Sequence, residues 1–122
     1  MTFSAWPFQT YRQDGATTNA TPLSLLTIAL PTAGNASIDV FVVARDSGGN
    51  SKSFKFSVGA KSVGGVATVL GAVASLLAVG DAGAAAWTAT AVASSGNIVI
   101  QVTGALATNI DWSAYVSAYT PS

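Results

Sequence analysis

The chain has no histidine, no cysteine and no glutamate, and only five basic and five acidic residues among its 122. Each absence closes a route. Without His there is no ordinary proton shuttle near neutral pH, and a Ser-based triad lacks its base. Without Cys there are no disulfides, no thiolate nucleophile and no thiolate metal ligands. The only carboxylates are Asp14, Asp39, Asp46, Asp81 and Asp111. Glycoside hydrolysis needs two carboxyl groups facing each other across a sugar, and no spacing here suggests such a pair. Arg12, Arg45, Lys52, Lys55 and Lys61 are too few and too scattered to form the basic stripe that displaces counterions from nucleic acid. The expectation is a protein that is not an enzyme, with no cofactor, no metal and no nucleic-acid partner.

What is present is apolar and small. Half of the residues are hydrophobic, the formal net charge is zero, and the mean hydropathy is +0.50. Disorder needs low hydrophobicity and high charge, and this chain has neither. One domain of this length buries enough surface for a single core. A neutral, apolar surface favours association over solubility as a monomer, so a stable oligomer is expected. Met1 to Pro7 has neither the basic start nor the apolar core of a secretory leader.

The pattern along the chain is one of short strands separated by turn signals. Residues 1–20 read as an N-terminal arm or edge strand, and residues 21–122 as a β-sandwich domain. Phe3, Trp6, Phe8 and Tyr11 place four aromatics within nine residues. They are the candidate assembly contacts, able to anchor an arm on a neighbouring subunit or to cap the domain's own core. Leu25 to Leu30 is an apolar run closed by Pro31. Ile38, Val40, Val42 and Ala44 share one face of a strand; Asp39, Phe41, Val43 and Arg45 share the other. Large apolar groups on both faces suit an interior strand or one covered by another subunit. Asp46-Ser47-Gly48-Gly49-Asn50 is a turn; with two oxygen-bearing side chains of the right kind it is too poor for a calcium loop. Phe54, Phe56, Val58 and Ala60 then alternate with Lys55, Ser57, Gly59 and Lys61, a half-buried strand that closes a hairpin with the preceding one. Trp87 to Ser94 and Ile98 to Thr103, joined across Ser95-Gly96-Asn97, form a second hairpin. Trp112 to Tyr119 alternates as the last strand.

The stretch from Ser62 to Gly80 holds nineteen residues without a charge, long enough to cross a bilayer as a helix. It lacks an aromatic belt and a basic flank beyond Lys61, and period-2 strands border it on both sides. It divides into two strands, Val66–Leu70 and Val73–Leu77, at Gly71-Ala72; a buried helix over Ala72–Val79 is the competing reading. No membrane partner is expected. About eight strands in all predict an all-β, antiparallel, jelly-roll-like sandwich.

Several of these segments occur in a familiar order: Val42-Val43-Ala44-Arg45, the Gly64-Gly65 turn, the Trp87 strand, Ile100-Gln101-Val102-Thr103-Gly104, and Asn109-Ile110-Asp111-Trp112-Ser113-Ala114. Over residues Thr18 to Tyr119 the chain resembles β-rich domains of tailed-bacteriophage structural proteins. The resemblance implies a jelly-roll-like sandwich working as a trimer, and it carries over no catalytic residue. Within that group the length before the domain suits a capsid decoration (cement) protein. Its partners would be itself, as a homotrimer, and the major capsid protein or other virion proteins, and its location the virion. The alternative is the receptor-binding tip of a tail fibre or tail needle.

Overall fold

A computed structural model describes residues 8–31 and 33–120. Eight strands follow one another: β1 (Phe8–Thr17), β2 (Leu23–Ala29), β3 (Gly34–Asp46), β4 (Ser51–Val63), β5 (Val66–Gly80), β6 (Thr88–Ser94), β7 (Asn97–Thr103) and β8 (Ile110–Tyr119). All pairings are antiparallel. They make a five-stranded sheet, β1-β8-β3-β4-β5, and a three-stranded sheet, β2-β7-β6. The all-β sandwich expected from the alternation is therefore present. Its jelly-roll character lies in the nested pairing of β1 with β8 and β2 with β7, divided between two sheets. The β3-β4-β5 meander departs from that plan by staying in one sheet.

The inward faces follow the sequence alternation. Ile38, Val40 and Val42 of β3, Phe56 and Val58 of β4, Trp112, Ala114 and Val116 of β8, and Ile98, Ile100 and Val102 of β7 are all buried. Trp87 and Trp112 are each 1% exposed, with ring centroids 6.2 Å apart, and Phe54 stacks on Trp112 at 6.2 Å. The indole Nε1–H of Trp112 donates to Thr17 Oγ1 at 2.9 Å, giving the buried indole its partner.

One end of the sandwich is tied by the three charged residues outside the large sheet's outer face, Asp46, Lys52 and Asp81. In the β3–β4 turn, Asn50 donates its backbone N–H to Asp46 Oδ1 (2.8 Å) and its side-chain amide to Oδ2 (3.0 Å). Gly49 takes φ 93°, the left-handed conformation this turn requires. Asp81 Oδ2 accepts from the Ser51 N–H at 2.9 Å. Lys52 donates to the carbonyls of Ala85 (3.0 Å) and Trp87 (2.9 Å), fastening the 3₁₀ turn Ala82–Ala84 and the approach to β6 onto β4. Replacing Lys52 with Met keeps the stem and removes both bonds. The expected loss is about 1–3 kcal/mol, read from the denaturant midpoint.

The Asn50 side-chain bond, helped by backbone N–H groups of Asn50, Gly48 and Gly49, outweighs desolvation and holds the Asp46 carboxyl below its ordinary value. The stabilisation from this lowered pKa is present above the unfolded-state value of about 3.9. It is lost as pH falls through the folded-state value. In Asn50→Ala the Asp46 carboxyl should titrate nearer its ordinary value, as NMR of the side-chain carbon will report. An unchanged titration would show that the backbone donors suffice.

Within the uncharged stretch, Ser62 and Val63 end β4, and Val66–Gly80 forms one long strand, β5, rather than the two expected. Its register against β4 slips twice, between Lys55 and Phe56 and between Ser57 and Gly59. At the first slip Leu76 is the extra residue. At the second, Gly71, Ala72 and Val73 stand opposite the single residue Val58. Gly71 supplies the positive φ, 69°, at the bend where the sequence suggested a break. No helix among the described residues is long and apolar enough to cross a membrane.

Candidate functional site

The register places seven of the ten charged residues on one surface, the outer face of the five-stranded sheet. Arg12 and Asp14 of β1, Asp111 of β8, Asp39 and Arg45 of β3, and Lys55 and Lys61 of β4 all alternate with buried or core-facing neighbours. Side chains on this face form rows across the strands. Arg12, Tyr115, Phe41, Lys55 and Leu77 are in register from one edge to the other. The next row on one side is Asp14, Ser113, Val43, Ser53 and Val79, and two rows away on the other is Phe8, Tyr119, Ser37, Gly59 and Leu70. The outer face of the small sheet carries instead Thr27, Thr88, Thr90, Gln101 and Thr103, with no charge.

The aromatic rings are the unusual element. Phe8, Phe41, Tyr115 and Tyr119 are between 42% and 52% exposed. Phe8 and Tyr119 lie 5.1 Å apart at 36°. The Arg12 guanidinium stands 5.4 Å over the Tyr115 ring, and the Lys55 ammonium 5.1 Å over Phe41. The polar groups are tied to one another. Arg12 bonds Asp14 at 3.2 Å, Ser113 Oγ donates to Asp14 Oδ1 at 2.7 Å, and Ser57 Oγ donates to Asp39 Oδ1 at 2.7 Å. A shallow hollow of about 440 Å³ lies between β1, β8 and β3, lined by Thr10, Tyr11, Arg12, Phe41, Tyr115, Val116 and Ser117. Rings with cations above them and hydrogen-bonded carboxylates at the side make a surface suited to contact.

Of the four aromatics singled out in the sequence, Phe3 and Trp6 lie outside the described residues. Phe8 is on the exposed face, stacked on Tyr119. Tyr11 sits on the opposite side of β1, half-buried against the core, and burial pushes its hydroxyl pKa up. Phe41 was legible as an outward apolar residue of its strand. Its place beside Tyr115 and Arg12 was not, because β3, β8 and β1 are brought together by pairings distant in sequence.

No family model matches the chain, and no curated protein matches it. Among solved structures, the Acinetobacter phage vB_ApiP_P1 tailspike protein is similar over 94% of this chain, with a TM-score of 0.41 and 15% sequence identity. The matched part is 22% of that protein's length.

Proposed function

We propose that the protein is a non-enzymatic structural component of a bacteriophage virion, a capsid decoration protein that works as a homotrimer and stabilises the shell by bridging its subunits. The observation that carries this reading is the bare outer face of the large sheet. Four aromatic rings, Val43, Leu70, Leu77 and Val79 occupy it, and no element of the described chain covers them. Such a face gains by burial against another protein, at roughly 25 cal/mol per Å² of apolar surface before the costs of association. Many copies on a lattice add modest contacts into a firm attachment. The strand-and-turn series of the sequence supplies the viral setting.

The expected result is that purified protein binds expanded capsids lacking it and raises their resistance to heat. Failure to bind such shells overturns the reading. A second reading, the receptor-binding tip, is favoured by the hollow beside Arg12, Tyr115 and Phe41, where cations and rings lie together. Under it, free protein binds host cells and blocks infection, and Tyr115→Ala abolishes the block while leaving the fold intact.

A further inference from the structure

We infer that β5 is the surface through which copies of this chain meet, lining the axis of the closed assembly proposed above and resting on that reading. β5 is an edge strand, paired only with β4 among the described residues. At fifteen residues it runs about 50 Å. Val63, Val66, Leu70, Leu76, Leu77 and Val79 are between 41% and 67% exposed along it and its turn. They offer on the order of 400 Å² of apolar surface, within the range of the largest patch on a monomer and about half of what one partner gives to a stable interface. A ridge of that size is too small for a lasting one-to-one contact. Around a three-fold axis three such ridges together bury about 1,200 Å², the lower end of the range for a stable interface.

Two features select a second copy as the occupant. The first is charge. Ser62 to Gly80 carries none, whereas the adjoining β4 carries Lys52, Lys55 and Lys61. Symmetry brings identical residues near one another at an axis, where any charge would face its own kind. A strand cleared of charge suits that position. The second feature is the state of the edge. Natural edges are blunted by charge, proline or bulges, and β5 uses only bulges. At its start the Ala67 N–H is taken by the Ser95 carbonyl at 2.6 Å. Beyond it the two register slips break the ladder. Little unbroken backbone edge is left for a strand to add onto, so copies meet through side chains. Contact of that kind does not extend a backbone ladder from copy to copy, as edge-to-edge strand pairing would.

The chain has no cysteine, so a single introduced thiol reports contacts cleanly. In Leu76→Cys, mild oxidation should link copies covalently. In Thr90→Cys, on the outer face of the small sheet, it should not. Sedimentation should show one oligomer whose size stays constant from about 5 to 100 µM, and Leu76→Asp should weaken association about 100-fold or more. Near-UV circular dichroism of the buried Trp87 and Trp112 checks that this variant stays folded; if it does not, the cysteine pair decides. A wild-type monomer at 100 µM, or an oligomer that Leu76→Cys fails to link, overturns the inference. Capsid binding by a wild-type monomer would do so while leaving the decoration role standing.

Discussion

Trp112→Ala should cost about 3–5 kcal/mol and lower the melting temperature by roughly 10–20 °C. Trp112 is 1% exposed and occupies the middle layer of the molecule. In register beside it are Gly15 of β1 and Ala44 of β3, and the place a side chain at Gly15 would take is filled by Leu25 and Leu23. Above it are Phe54 and Trp87, the latter on the approach to the small sheet. The indole thus packs between Phe54 of the large sheet and Trp87 and joins the two sheets. Its removal leaves a cavity that strands held in two ladders cannot close. It also strips Thr17 Oγ1, in a residue 6% exposed, of its donor. With total stability of about 5–15 kcal/mol in domains generally, this change removes a large fraction. Trp112→Phe keeps much of the ring and should lose about 1–3 kcal/mol. Tyr115→Ala, three residues on and facing outward, should stay within about 1 kcal/mol. Thermal unfolding followed in the near-UV separates the three. A Trp112→Ala loss no larger than that of Tyr115→Ala would show that the indole does not bridge the sheets.

The same alternation that makes Trp112 buried and Tyr115 exposed could be read directly from the sequence. A strand's period of two assigns faces without knowledge of its partners. The inward sets of β3, β4, β7 and β8, the two hairpins, and the turn role of Asp46 were legible for that reason. What could not be read was which strands become neighbours. Phe8 and Tyr119 are 111 positions apart and stack only because β1 pairs with β8. The gathering of seven charges on one face follows from the pairing of β1, β8, β3 and β4, so no local segment displays it. β5 was illegible for a different reason. Its outward residues are even-numbered at Val66, Thr68, Leu70 and Ala74, then odd-numbered at Leu77 and Val79. The extra residue Leu76 reverses the phase. In a stretch made almost wholly of Ala, Val, Leu and Gly there is no polar face to reveal the reversal. The bordering period-2 strands favoured two short strands over a helix, and nothing in the composition marked a single bulged strand.

Gly104→Ala should cost about 2–4 kcal/mol, more than a glycine at a strand end ordinarily commands. The sequence gives this residue only the job of ending β7. The fold gives it a second one. A Cβ at Gly104 would sit 2.5 Å from Thr17 Oγ1, 3.0 Å from Ile110 Cδ1 and 3.3 Å from the Asn19 carbonyl. Ile110 is fully buried and Thr17 nearly so, and neither has solvent to move into. Thr17 Oγ1 is also the acceptor that holds Trp112 Nε1. The added methyl therefore acts twice, by crowding a packed site and by pushing the hydroxyl away from the indole. Those two effects can be divided. Thr17→Ala removes the hydroxyl, costing the Trp112 bond but clearing the nearest contact. In that background Gly104→Ala should cost at least about 1 kcal/mol less than it does in the wild type, since residues sharing one contact do not contribute additively. Chemical denaturation of the four proteins gives the coupling. Strict additivity would mean that the crowding falls on Ile110 and the Asn19 backbone, and that Thr17 and Trp112 keep their bond when Gly104 is filled.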